Sequence, residues 1–374
     1  DFLDGSYYYH AKIYHNENLK KYNNIIVTWA YDYQFNKQGF FFDRTLGINS
    51  NKSPNSLWFV VYLSDKLPEK VQDNIVIFKT RDKNKKNFLK LLKHLIVSIK
   101  YLMYGKFYFL NKISSFSVFS EIIYFYFKDF LNNDVKYLLV PYEGQPFQNR
   151  IFKLSKENFP SIKTIGYVHS SPTSIPFSLI KKKTSPDKLI LSGKDQFKCF
   201  IKYLGWKKNE LKILPSKRFI KKKINMKNSF YLPLIFRSHN NIGECIKKLI
   251  KITKLDISKF KIKNHPGAKN SLSHQKLIKE IKKIKKNNRK LTNKKNNYSV
   301  FIGSSGAIIE ALERGCKVYQ ICENDLLERY SSKIWNNIVC KKITDKIYFY
   351  SLKKKRRIII LGNKNNNLYN YLKV

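Results

Sequence analysis

Two short motifs in the second half of the chain combine residue types that can hold a phosphate. Lys263-Asn264-His265-Pro266 closes one apolar run, and Gly303-Ser304-Ser305-Gly306 closes another. Small residues at a strand-to-helix turn expose backbone N–H groups and hydroxyls to an anion. Glu310 falls in the first turns of the helix that follows, where a carboxylate can accept from ribose hydroxyls. An imidazole at His265 can donate to a phosphate or protonate a departing one near neutral pH, with Lys263 close by. Pro266, with Gly267, ends the strand and holds the turn. The plain alternatives are an N-cap by Ser304 or Ser305 and a simple turn histidine.

The first half offers a carboxylate at a comparable place. Glu143 follows the apolar run YLLVP and precedes Gly144, beside Tyr142 and Phe147. Apolar walls disfavour the charged form, so its pKa is expected to rise and make it a general base. The alternative is a cap for the helix that starts at Pro146. Arg150 reads either as a clamp for phosphate or carboxylate or as a surface arginine. A second run, TIGYVHSSP, ends at His169 with Ser170 and Ser171 behind it, either substrate contacts or an ordinary polar loop. Arg218 is supportive in the same sense. The remaining histidines, His10, His15, His94, His239 and His274, have no metal-like spacing, and no metal or bound cofactor is expected. No P-loop, G-x-S-x-G elbow or kinase signature is present.

These residues need strands that end side by side. Short β-branched or aromatic runs alternate with longer helix-like stretches, which predicts an α/β fold with parallel sheets. Strands are expected over Asn24–Ala30, Leu57–Leu63, Asn74–Phe78, Tyr137–Pro141, Thr164–His169 and Lys188–Ser192. The second half adds Phe230–Phe236, Phe260–Asn264, Ser299–Gly303 and Lys317–Cys322. The lysine-rich stretch from Asn84 to Leu131 reads as two or more helices. Charge without a sustained apolar period between Pro215 and Asn228 suggests a boundary there, giving units of 1–215 and 216–374, the latter with a C-terminal helix or tail. Ligands of open α/β sheets bind outside the carboxyl ends of the strands, so the motifs belong at one shared cleft.

Bulk properties bound the rest. A chain of 374 residues exceeds the size of one ordinary core, and an aromatic content of 15% argues for folded structure over disorder. The 73 basic residues against 26 acidic ones give a formal charge of +47, which favours anionic partners, an acidic membrane surface among them. Lysine abounds together with Asn, Ile, Tyr and Phe, a set that AT-rich coding sequence also produces. Five cysteines without a C-x-x-C pair suggest reduced, cytosolic thiols. The chain opens at Asp1 without a basic-then-apolar leader, so no signal peptide is expected. The apolar stretch from Phe88 to Phe130 is interrupted too often to span a bilayer, which leaves a cytoplasmic protein, peripheral at the membrane if attached at all.

With Glu143-Gly144, His265-Pro266 and Ser304-Ser305 in this order, the chain resembles GT-B glycosyltransferases. More narrowly it resembles bacterial surface-carbohydrate enzymes using CMP-activated acidic sugars, such as Kdo transferases and sialyltransferases. The resemblance implies two Rossmann-like domains facing a cleft and transfer to a glycan or lipid-linked glycan acceptor of lipopolysaccharide, O-antigen or capsule. Glu143 would act as catalytic base or otherwise at the reacting centre, His265 would stabilise or protonate the departing CMP phosphate, and the serines would hold that phosphate. The segment YDYQFNKQGFFFDRTLG, with Asp43 and Arg44, looks similar to a less characterised group of surface carbohydrate biosynthesis proteins and adds both as possible substrate contacts. Where the families place two carboxylates before the glycine, this chain has Tyr142 and Glu143. A glycerophosphate-type polymer transferase or a sugar-nucleotide epimerase would fit the same fold. Nucleic acid is not the expected partner, because the charge is spread along the chain and no RNP, KH or zinc-finger pattern occurs.

Overall fold

The computed structural model describes residues 11–17, 19, 21–53, 55–79, 115–221, 224–265, 268, 271–288 and 297–363. The first half forms an eight-stranded sheet from β1 (Lys12–Tyr14), β2 (Asn24–Ala30), β5 (Ser56–Tyr62), β6 (Ile75–Lys79), β7 (Tyr137–Pro141), β8 (Lys163–Tyr167), β9 (Lys188–Leu191) and β10 (Leu211–Ile213). A hairpin, β3 (Phe42–Asp43) with β4 (Ile48–Asn49), follows β2. The sheet order is β1-β6-β5-β2-β7-β8-β9-β10, and all neighbours are parallel except β1 against β6. Strands buried on both faces must be apolar throughout, and β5, SLWFVVY, is buried along its whole length. Expectation and structure agree to within two residues at every end of the six strands predicted here. Helices α1 (Ser115–Phe127), α2 (Pro146–Asn158) and α3 (Lys194–Tyr203) accompany them. The expected helices over 84–114 lie outside the described residues.

The second sheet comprises β12 (Ser229–Tyr231), β13 (Lys261–Lys263), β14 (Tyr298–Ile302), β15 (Lys317–Ile321), β16 (Ile338–Thr344) and β17 (Ile347–Leu352), in the order β13-β12-β14-β15-β17-β16. The first four strands run parallel, and β16 and β17 form an antiparallel hairpin at one end. Helices α4 (His239–Thr253), α5 (Leu272–Asn287), α6 (Ala307–Glu313) and the short α7 (Asp325–Glu328) complete this half. The chain is therefore α/β with two large parallel-rich sheets, as its pattern predicts.

The stretch read as a boundary holds a strand of its own, β11 (Ser216–Ile220), which pairs in parallel with β18 (Leu361–Gly362). The tail up to residue 363, expected as a helix or fray, returns to the first sheet. Ile360 N–H donates to Ser192 O at 2.7 Å, and Asp195 N–H donates to Arg357 O at 2.9 Å. Glu313, buried on α6, anchors this return by accepting from the backbone N–H groups of Arg356, Arg357, Ile358 and Ile359. One continuous cluster of buried side chains joins the halves, with Leu57, Phe59 and Val140 in the same group as Phe301, Ile308 and Trp335.

Candidate active site

Parallel order alone marks where a ligand would sit. In the first sheet the sequence of strands reverses between β2 and β7, and in the second between β12 and β14. At such a reversal the connections leave in opposite directions and open a crevice at the carboxyl ends. Glu143 follows β7 and Asp43 follows β2, while Gly303 follows β14 and Pro233 follows β12.

Glu143 precedes helix α2 without capping it. Gln145, not Glu143, is the N-cap residue of α2, and Gln148 Oε1 accepts from the N–H groups of Glu143 and Gln145, at 3.0 Å each. Gly144 has φ +75°, and a Cβ there would come within 2.0 Å of Ser178 O. The backbone thus turns sharply and delivers the carboxylate above the sheet. Oε1 lies 3.1 Å from His169 Nε2, and Oε2 accepts from Gln145 Nε2 at 3.1 Å.

The expectation of a raised carboxyl pKa at Glu143 is corrected here. The hydrogen bond from His169 is the largest influence and, with the charges of His169 and Arg218, outweighs burial and holds the group below the usual glutamate range. Burial does raise the carboxyl of Asp43, 1% exposed, which accepts from Thr28 Oγ1 and from the N–H groups of Thr45 and Leu46. Asp43 also senses the charge of His169, the weakest of the influences on it.

His169 is 4% exposed, with Trp29 edge-on at 6.0 Å between ring centroids. Ser170 follows it half-buried, and Ser171 is buried against the other unit. A Cβ on Gly306 would lie 3.0 Å from Ser171 Cβ, so the loop after β8 and the loop after β14 touch. The contact continues through Tyr330 Oη donating to Pro172 O at 2.9 Å and Trp335 Nε1 donating to Ser174 O at 3.0 Å.

In the second unit, Gly303 has φ +67° and packs on Pro233. Ser304 is exposed, and Ser305 Oγ accepts from Ala307 N–H at 3.3 Å. Glu310 is paired with Arg314, whose Nη2 is 2.8 Å from Oε1. Lys263 Nζ donates to Tyr231 Oη at 2.9 Å and Asn225 O at 3.2 Å, and burial lowers its pKa. His265 is exposed just past β13. Pro266 lies outside the described residues. His265 and the serine turn follow strands that are successive in the chain but not adjacent in the sheet, because β12 lies between them. The segment after β12, Pro233 to Ser238, is therefore part of the same edge, which the motifs did not disclose. There Glu323 accepts from the N–H groups of Arg237 and Ser238 beside a cavity of about 150 Å³ lined also by Cys245, Cys322 and Lys346.

The other expected contacts are dispersed. Arg150 donates to Glu121 at 3.0 Å and stacks at 4.1 Å over Tyr124, so α1 holds its guanidinium. Arg44 is exposed over Tyr33, at 4.7 Å. Arg218 is exposed and acts on Glu143 through its charge. Its neighbour Lys217, absent from the sequence reading, is 8% exposed, and burial brings its pKa down to about 8.

Among the described residues no group of three or more His, Cys, Asp or Glu could hold a metal ion, and no helix is long and apolar enough to cross a membrane. No family model and no curated protein matches the chain. Among solved structures it is similar to one described as trehalose-6-phosphate from E. coli bound with UDP-2-fluoro glucose, at 11% identity and a TM-score of 0.36, over 70% of this chain and 69% of that one.

Proposed function

We propose that the chain is a GT-B glycosyltransferase that binds a nucleotide-activated sugar at the second sheet and an acceptor glycan at the first. The observation that carries this reading is the meeting of two reversal points, with Glu143 and His169 on one side and Gly303 to Gly306 on the other, joined by the contact of Ser171 with Gly306. A sugar seated there would have its anomeric carbon near a carboxylate and its phosphate near the backbone N–H groups of a small-residue turn.

In this reading the acceptor hydroxyl attacks the anomeric carbon, the bond to the nucleotide phosphate breaks, and the hydroxyl proton passes to the Glu143 carboxylate, which releases it to solvent. Glu143 stands at the reacting centre. Ser304, Ser305 and Gly306 hold the departing phosphate, and His265 and Lys263 balance its charge from across β12. The donor is a CMP-linked acidic sugar and the acceptor a surface glycan, reached from the cytoplasmic face of an anionic membrane. No metal takes part in this scheme.

Thermal protection by nucleotides tests the donor. Stabilisation by CMP in the absence of added metal, and not by UDP, GDP or ADP, is expected; protection by another nucleotide alone would overturn the CMP assignment, and protection by none would overturn the nucleotide site.

A further inference from the structure

The pairing of His169 with Glu143 has a direction. The imidazole is nearly sealed, Trp29 covers its ring, and Nδ1 is buried without a hydrogen-bond partner among the described residues. The nitrogen 3.1 Å from Glu143 Oε1 is Nε2, and a hydrogen on Nε2 donates to that oxygen whether the ring is neutral or protonated. Both oxygens of Glu143 then receive a donor, Nε2 of His169 on Oε1 and Nε2 of Gln145 on Oε2. Glu143 is itself about one third exposed while His169 is not, so the open side of the pair is the carboxylate.

We propose that His169 is a positioning residue for Glu143: its fixed imidazole aims the carboxylate into the cleft and keeps it an anion. The idea rests on the reading of Glu143 as a group at the reacting centre. A carboxylate held in this way retains a proton poorly, so Glu143 accepts a hydrogen bond from the incoming hydroxyl, takes its proton only in transit to solvent, and otherwise acts on the sugar as a negative charge. This suits the positive charge that grows at an anomeric carbon as its bond to phosphate lengthens.

The charged groups facing the pair agree with that assignment. Arg218, from β11, favours the ionised Glu143, and the charge of His169 also acts on Asp43, from the hairpin after β2. With Glu143 below the ordinary glutamate value, its bond to His169 contributes fully above that value and is lost as pH falls through the lower, folded one.

The experiment follows the Glu143 carboxyl by infrared titration, as wild type minus Glu143→Gln, and repeats it in three His169 variants. His169→Gln keeps an N–H that can reach Oε1 and should preserve the wild-type titration. His169→Phe removes the donor, and His169→Asn, the safer variant for folding, is too short to supply it. Both should raise the proton affinity of Glu143 by about tenfold or more. An unchanged titration in the folded Asn or Phe variant overturns the proposal, as does loss of the wild-type value in folded His169→Gln. Turnover of a CMP-linked sugar should fall in the Asn and Phe variants with CMP affinity retained, and recover in His169→Gln. If wild type does not turn over the donor, the functional reading fails while the titration still decides the role of His169.

Discussion

Glu143 and Gly144 are neighbours with opposite demands: one side chain must reach the cleft, and the other must not exist. Gly144→Ala adds a Cβ against Ser178 O in a left-handed conformation, so it should destabilise the chain by about 1–3 kcal/mol, read as a lower denaturant midpoint; an unchanged midpoint would refute the strain argument. Glu143→Gln, by contrast, should abolish sugar transfer while leaving nucleotide binding intact, and a variant that still transfers at the wild-type rate would remove Glu143 from the reacting centre. Lys217 offers a test whose sign depends on pH. Its folded pKa, about 8, lies below that of the unfolded chain, so its cost to stability is fully present below pH 8 and fades as pH rises toward the ordinary lysine value. Lys217→Met should therefore stabilise the protein by roughly 1–3 kcal/mol near pH 7, with a smaller gain at pH 10, by chemical denaturation. At this scale the sequence marked Glu143 and His169 separately. It could not pair them, since their contact exists only because β7 and β8 run parallel and end together.

The elements that could be read in advance were those with a single strong cause. Asn24–Ala30 and Tyr137–Pro141 are mostly apolar runs, and both strands have the expected bounds because both faces of the sheet are buried along them. β16 carries lysines along a partly solvated edge and β11 is only five residues within a basic stretch, so neither stands out, whereas β17, IYFYSL, has a strand-like run that the sequence reading passed over. Helix α6 was legible as a start after Gly306, yet the four backbone bonds taken by Glu313 at its other end were not, because their donors lie in a tail with no apolar period. Glu313→Ala should leave those donors unmatched and cost about 1–3 kcal/mol. Hydrogen exchange over 356–359 should accelerate; unchanged protection there would show that the tail holds without this carboxylate.

The whole molecule must fold against its own charge. A formal net charge of +47 repels itself in any compact state, and added salt screens that repulsion. The melting temperature should rise by several degrees between low ionic strength and about 0.5 M sodium chloride, with screening over a few ångströms at the upper end. A flat or falling response would mean that specific ion pairs, not net repulsion, dominate. The two-sheet plan was visible in the alternation of strand-like and helix-like runs. The joint between the halves was not, because it depends on a return of the chain and on a buried cluster drawn from both.

That return bears on how the protein is made. Ser192 O and Asp195 N–H sit at the carboxyl edge of the first sheet, and their partners, Ile360 and Arg357, leave the ribosome long after them. Domains synthesised first ordinarily fold first. Here the earlier unit emerges with part of its edge unmatched and a shared apolar surface uncovered, so during translation it is the segment a chaperone would have most reason to hold.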